Sequence, residues 1–268
     1  MIVVKANRNQ RLGNLLFNIG MAYTIQSKLP NHPEIQCFEN NLTRTEYFRN
    51  TLKPIFFSDI KFVEKSKCNL SGLKLVRGGQ YKLVNPPMTD NVFLTWHWQN
   101  CIELDIELLR LKYNVPNVEQ FCKTHYPQVF CDGKETIGVH VRRSDYVTFK
   151  NGSFFHINDA DFYKRAIDQI DQTGKNIMIV SDDIEWCKRN LSNLGESVFF
   201  SNESDVINDM RILMWCDYLV LGSASTYSVW ASYLNTRKKM VVCPKKLYVQ
   251  DMYNVHSNIL FPQDYIKI

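Results

Sequence analysis

Hydrophobic positions fall into two regimes along the chain. From residue 136 onward, short β-branched or apolar runs alternate with segments whose apolar residues recur every three or four positions. Thr136–Val141, residues 175–180, Val198–Phe200, Tyr218–Leu221 and Met240–Cys243 read as strands. Between them, residues 159–172 carry Phe162, Ala166, Ile167 and Ile170 on one face, and a helix begins near Ile184. Residues 206–216 form a further helix, and Ser223 to Thr226 lead into another that runs to Asn235. Strands alternating with helices of roughly 10–15 residues predict a doubly wound parallel sheet.

Before residue 136 the pattern is weaker. Ile2–Val4 reads as a strand, residues 7–13 as a polar loop, and residues 15–29 as a helix with Leu15, Leu16, Ile19, Ala22, Tyr23 and Ile25 at helical spacing. Pro30 and Pro33 end it. Residues 34–95 hold short apolar runs at Ile35–Phe38, 55–57, 73–76 and 92–94, and a second helical stretch covers residues 105–113. The polar stretch 127–133 separates the two regimes, so domains are expected at 1–131 and 132–268. No internal repeat is evident.

Composition narrows the class. At 268 residues and 45% hydrophobic, the chain can bury a core and is not disordered. No apolar run approaches the roughly 18 residues that a membrane span requires. A net charge of +5, from 32 basic and 27 acidic residues scattered along the chain, suits a phosphate-bearing ligand or an anionic membrane face and is no nucleic-acid footprint. The basic runs at Arg237 to Lys239 and Lys245 to Lys246 read as solvated faces. Eight isolated cysteines without a C-x-x-C read as small core hydrophobes. The first five residues lack the apolar centre of a signal peptide. A reducing cytosol is therefore expected, where the Asn-x-Ser/Thr sequons carry no weight.

Ligands of doubly wound sheets bind beyond the carboxyl ends of the strands. Three polar groups fall there. His140 and Arg142 share one face of a strand while Arg143 takes the other. An arginine at a strand end can grip a phosphate with its planar fork; it can equally be a surface ion pair, and for Arg143 pairing is the stronger reading. Asp182 and Asp183 follow the next strand, where one caps a helix and the other is open to a ribose, the N–H groups of a base or, on weaker grounds, a metal. Ser223 to Ser228 place four hydroxyls at a helix start, which serves capping and anion binding alike.

Residues 7–18 contain neither a G-x-G-x-x-G fingerprint nor a phosphate loop, and Gly13 reads as a turn or a point of close approach. Trp96, His97, Trp98 and Gln99 read as core packing or as aromatic faces for a sugar. No nucleophile triad or zinc spacing occurs, and the histidines are dispersed.

Taken together, the motifs resemble the α-1,2-fucosyltransferases of glycosyltransferase family 11 and, more distantly, the α-1,6- and protein O-fucosyltransferases. Arg11-Leu12-Gly13-Asn14 is similar to the family's G-R-L-G-N-Q element. His140-x-Arg142-Arg143-x-Asp145-Tyr146 matches its H-x-R-R-x-D-Y signature. Asp209-Met210-x-x-Leu213-Met214-x-Cys216, followed by Ser225-Thr226-Tyr227-Ser228-x-Trp230-Ala231-x-Tyr233-Leu234, resembles its carboxy-terminal block, and Trp98-Gln99 a G-Y-W-Q element. Leu15, Ser144, Val229 and the absence of Asn from residues 222–224 depart from the pattern.

The resemblance implies a two-domain, GT-B-like α/β fold with GDP-fucose bound mainly by the carboxy-terminal domain. It implies an inverting, metal-independent transfer of L-fucose to a galactoside-like acceptor through an α-1,2 linkage, with no cofactor. Arg142 would meet the β-phosphate, His140 would line the same pocket, and Asp145 is the candidate base unless it pairs with Arg143. Asp183 would contact guanine, and Ser225, Thr226 and Tyr227 would border the diphosphate. Gly13 and Asn14 would face the donor, and Trp96, Trp98 and Gln99 the acceptor. A lipid-linked acceptor would bring the protein to a membrane surface from the cytoplasm. A different nucleotide sugar, or nucleotide or glycan binding without turnover, are the competing readings.

Overall fold

A parallel sheet organises each half of the chain. The computed structural model describes all residues apart from 9, 79–87, 96–97, 100, 148–153, 252 and 254–256, and the side chains of 144 and 257. They gather into two units, Met1–Asn114 and Val115–Ile268.

In the first unit, β1 (Ile2–Val4), β2 (Ile35–Phe38), β3 (Lys61–Val63), β4 (Lys74–Arg77) and β5 (Val92–Thr95) pair in the order β3-β2-β1-β5-β4. Every pairing is parallel. Helix α1 (Leu12–Ser27) is followed by α2 (Lys53–Phe56) and α3 (Ile106–Lys112). α1 starts at Leu12 rather than at residue 15, so the Arg-Leu-Gly-Asn element is its first turn instead of a loop. Its buried residues run almost without a break from Leu12 to Ile25.

A helix enclosed on all sides must satisfy its polar side chains internally. Asn18 Oδ1 accepts the Trp98 N–H at 3.1 Å. Thr24 Oγ1 accepts the Asp105 N–H at 3.1 Å and donates to the Gly20 carbonyl at 3.0 Å. The run at 55–57 is the end of a helical turn. Phe56 and Phe57 pack edge-on to Tyr113, within 6.1 Å between ring centroids. Tyr113 Oη in turn donates to the Leu16 carbonyl at 2.8 Å.

The second unit holds α4 (Val118–His125), α5 (Pro127–Phe130), β6 (Thr136–Val141), α6 (Ser144–Val147), α7 (Ala160–Ile167), β7 (Asn176–Ser181), α8 (Ile184–Leu191) and β8 (Val198–Phe200). It continues with α9 (Val206–Trp215), β9 (Tyr218–Leu221), α10 (Thr226–Leu234), β10 (Met240–Cys243), α11 (Ser257–Leu260) and β11 (Ile266–Lys267). The strand order is β11-β10-β9-β6-β7-β8, with parallel pairing throughout. The alternating pattern thus produced the doubly wound sheet it predicted.

Asp159, Asp183 and Asp205 cap α7, α8 and α9 by accepting backbone N–H groups, worth about 1 kcal/mol each. The units part at Asn114–Val115, ahead of the 131/132 break drawn from composition, because the polar stretch packs on the second sheet. The Asn176 side chain donates to the Val129 carbonyl at 2.9 Å, and Cys122 Sγ lies 3.4 Å from the Arg211 carbonyl. All eight cysteines are free and five are buried, as expected of small core residues. Among the described residues no helix is long and apolar enough to cross a membrane.

β6 sits at the centre of the second sheet with every residue buried. Ile137, Val139 and Val141 enter the core with Phe162, Tyr163, Ile167, Cys187 and Leu191 of α7 and α8. Gly138 and His140 take the opposite face. There α9 comes so close that a Cβ on Gly138 would lie 2.8 Å from Cys216 Sγ. Connections leave β6 in one direction through β7 and β8, and β9 pairs on its other side, so the topological switch lies between β6 and β9.

The approach at this switch is tight. A Cβ on Gly222, just after β9, would lie 2.0 Å from Tyr163 Oη and 2.8 Å from the His140 carbonyl. Gly222→Ala is therefore expected to cost about 2–3 kcal/mol and to lower the thermal midpoint by roughly 5–10 °C. A wild-type midpoint in a melting curve of that variant would contradict the close approach.

Candidate active site

Arg142 leaves β6 at the switch, and its side chain is 19% exposed. Nη2 binds Asp145 Oδ1, and Nη1 binds Asp182 Oδ2 at 2.5 Å. Asp182 also accepts the Arg143 N–H at 2.8 Å, tying the end of β6 to the end of β7. The guanidinium lies 5.5 Å from the Tyr146 ring centroid. One fork is thus held between two carboxylates over an aromatic face, in an orientation set by three separate segments.

Arg143 turns the other way. Its Nε binds Asp183 Oδ2 at 3.2 Å, and its guanidinium stacks 3.9 Å from the Trp186 ring centroid. Asp183 also caps α8 by accepting the Trp186 N–H at 3.2 Å. This partnership separates two readings the sequence had left open: Asp145 pairs with Arg142 and not with Arg143. Asp183 thus has each carboxylate oxygen bonded within the protein.

His140 is 5% exposed, and among the described residues its Nδ1 has no hydrogen-bond partner. Burial pushes the imidazole pKa down to about 4, with Asp182 opposing and Arg142 adding to the fall. The ring is therefore neutral at physiological pH. It sits 5.7 Å from the Tyr227 ring.

The β9–α10 turn supplies the facing wall. Ser223 adopts φ +56°, an uncommon conformation outside glycine. It is held by buried Asn158, whose Oδ1 accepts the Ser223 N–H at 2.5 Å and the Ser223 hydroxyl at 3.3 Å. Ser225 is the N-cap of α10 but makes no side-chain capping bond. The positive end of that helix is thus not neutralised by its own cap. Thr226 opens the helix, and Tyr227 Oη donates to the Val206 carbonyl, joining the start of α10 to the start of α9. Tyr146 Oη donates to the Ala224 carbonyl at 3.1 Å, so the segment after Arg142 is fastened to the same turn.

Asp209 on α9 belongs to this neighbourhood and carried no assigned role in the sequence. Its Oδ1 accepts the Ser201 hydroxyl at 2.7 Å. Burial raises its pKa to about 7; the Ser201 bond opposes the rise, while Glu203, Asp205 and Asp182 add to it. The available signal was its place as the first residue of the carboxy-terminal family block, ahead of Met210, Ile212 and Leu213.

The remaining expected residues lie in the first unit. Gly13 and Asn14 are in the first turn of α1, and Asn14 Oδ1 accepts the Gln99 side-chain N–H at 2.6 Å. Trp98 is 1% exposed. Trp96 lies outside the described residues. The basic run after α10 is spent on partners: Arg237 pairs with Asp217 at 3.0 Å and stacks on Trp215, and Lys239 pairs with Glu135. Among the described residues no three His, Cys, Asp or Glu side chains gather as a metal site.

Comparison with known proteins follows the same lines. The sequence profile of glycosyl transferase family 11 matches residues 74–266. The O-antigen biosynthesis glycosyltransferase WbnK of Escherichia coli is 34% identical over 129 residues, covering 46% of this chain and 42% of that protein. The galactoside 2-alpha-L-fucosyltransferase SEC1 of Bos taurus is 24% identical over 143 residues, covering 46% and 39%. The matches therefore span less than half the length of these relatives. NodZ α-1,6-fucosyltransferase, co-crystallized with GDP, shares the fold with a TM-score of 0.53 over 90% of this chain and 93% of that one, at 13% identity. The architecture is GT-B-like, the profile covers most of the sequence and includes every residue around Arg142, and the chain belongs to glycosyl transferase family 11.

Proposed function

We propose that the protein transfers L-fucose from GDP-β-L-fucose to a hydroxyl of a galactoside-like acceptor, with inversion to an α-1,2 linkage and without a metal. The observation that carries the reading is Arg142 at the switch of the second sheet, whose following segment is fastened through Tyr146 to the turn that begins α10. The sugar and the linkage rest on the names of relatives and on the sequence signature.

Loss of GDP builds negative charge on the β-phosphate. A fixed guanidinium and helix-start N–H groups stabilise that charge where it develops. In the free protein Asp145 and Asp182 fill the Arg142 fork, so an arriving diphosphate takes over at least one of those bonds. Asp145 is the shorter-range partner, three residues away on a one-turn helix, and is released. It then accepts the proton of the acceptor hydroxyl as the oxygen attacks the anomeric carbon opposite the breaking C–O bond. GDP departs with the bonding pair. Neutral His140 presents Nδ1 to the donor without adding a charge that would hold the product.

For the guanine ring we add Asp209 beside Asp183, whose oxygens also serve Arg143 and the α8 cap. An ionised carboxylate there accepts from the N–H edge of a purine. Gly13 and Asn14 toward the donor, and Trp98 and Gln99 toward the acceptor, belong to the same proposal.

Arg142→Lys keeps the charge and loses the fork. It is expected to lower kcat/KM at least about 100-fold with the fold retained by circular dichroism; near-normal turnover contradicts the mechanism. Arg142→Ala also strands Asp145 and Asp182, so a drop in stability of about 1–3 kcal/mol is expected as well. Donor hydrolysis across GDP-fucose, GDP-mannose and UDP-sugars, with and without EDTA, is expected to single out GDP-fucose and to be insensitive to the chelator. GDP affinity by calorimetry is expected to rise roughly tenfold from pH 6 to pH 8 as Asp209 ionises. Asp209→Asn should flatten that component, and an unchanged pH slope in the variant would remove Asp209 from the site.

A further inference from the structure

Tyr146 carries more than its place in a short helix accounts for. α6 is a single turn, Ser144–Val147, and a turn of that length has little stability of its own. Its backbone is tied back to the end of β6 by the Arg143 carbonyl, which accepts the N–H groups of Tyr146 at 2.7 Å and Val147 at 3.0 Å. Yet the Tyr146 ring supports the Arg142 guanidinium, and its hydroxyl fastens the turn before α10. A side chain with both duties needs its ring plane fixed from outside the helix.

Phe155 fixes it. It stands nine positions further along the chain, ahead of α7. Its ring stacks on that of Tyr146 at 4.3 Å between centroids and 4° between planes. Two rings in near-parallel contact constrain each other's planes, because tilting either one opens the shared face.

Phe155 is anchored in turn by the segment that follows β10. It forms an isolated antiparallel bridge with Tyr248. The His156 N–H donates to the Leu247 carbonyl at 2.9 Å, and the Val249 N–H donates to the Phe154 carbonyl at 2.9 Å. The Tyr248 ring lies 5.6 Å from that of Phe155, and Phe154 packs edge-on to both. Leu247 and Tyr248 are buried, whereas Phe154 and Phe155 are half-buried. The anchor thus reaches from the interior of the second unit to the rim of the site.

The exchange at Arg142 makes such support necessary. A diphosphate that displaces Asp145 leaves the guanidinium with one carboxylate instead of two, and α6 without its ion pair to Arg142. Asp182 and the Tyr146 ring remain to hold the fork. Misplacing a group by about 1 Å in a transition state can cost about 100-fold in rate, so the plane of that ring bears on turnover.

We propose, resting on the transfer reading above, that Phe155 is a positioning residue for the reaction. Its ring, pinned by residues 247–249, keeps Tyr146 in plane, and Tyr146 keeps the Arg142 fork on the departing phosphate once Asp145 has been displaced.

Phe155→Leu keeps apolar bulk and removes the flat face, while Phe155→Tyr keeps the face. Both are assayed well below their melting midpoints, and Phe155→Met takes the place of Phe155→Leu if that variant does not fold. Phe155→Leu is expected to lower kcat for transfer from GDP-fucose about tenfold. The KM for the donor should change by less than about threefold, since binding of the ground state is largely kept. Phe155→Tyr is expected to restore kcat. The Arg142 Nε–H resonance of ¹⁵N-labelled protein, assigned by its loss in Arg142→Lys, reads the geometry without turnover. With GDP bound it should stay sharp in wild type and Phe155→Tyr and broaden in Phe155→Leu. A merely structural Phe155 would lower the melting midpoint and leave kcat and this resonance as in wild type, which overturns the role. A loss of kcat that Phe155→Tyr shares in full overturns it too. Failure of the transfer reading looks different: the wild-type protein itself then transfers no fucose and its Arg142 resonance ignores GDP, and the role of Phe155 falls with it.

Discussion

The second unit depends on where one guanidinium is held. Arg142 stands at the end of the central strand between Asp145 and Asp182, over the Tyr146 ring. Neither carboxylate is there by chance of surface chemistry. Asp182 is fixed by the Arg143 backbone, and Tyr146 is fixed by the Ala224 carbonyl across the switch. Under the proposed function, a guanidinium held in place in this way is already oriented for the charge that develops on a phosphate, and the exchange costs it one carboxylate partner. The two acids keep the arginine paired and oriented.

The surrounding fold makes that placement possible by packing the residue after β9 tightly against β6 and α7. Gly222 allows the contact with the His140 carbonyl and Tyr163, and the left-handed turn at Ser223, clamped by Asn158, leads directly into α10. Backbone conformations of this kind cost free energy and persist where the surroundings over-determine them. Here a buried asparagine with two bonds to one serine supplies the determination. His140 is part of the same compromise: it is buried, neutral and short of one hydrogen bond.

Much of this was legible in the sequence where side-chain periodicity governs the fold. The second sheet, its helices and the strand-end polar groups follow from alternation between two periods, and the converging positions follow from the general geometry of such sheets. Pairing partners were not legible. Arg142 and Arg143 are adjacent and chemically alike, and only the pleat and the position of Asp183 at a helix start decide which acid each one meets. Asp209 escaped because its raised pKa arises chiefly from burial, which the sequence does not display. The first unit was harder. Its strands are short, residues 55–57 are apolar because they pack on Tyr113 from a helical turn, and α1 is enclosed all round and so shows no polar face to mark its limits. The polar stretch at 127–133 looks like a linker in composition, yet it is tied down by carbonyl bonds that composition does not display.

The central claim is that the Arg142 fork exchanges an acid for the departing phosphate. A crystal structure of the protein with GDP tests this most directly. The account predicts the β-phosphate on the Arg142 guanidinium and the start of α10, with Asp145 withdrawn from Nη2. GDP bound away from Arg142, or bound with the fork still closed on both Asp145 and Asp182, would contradict it.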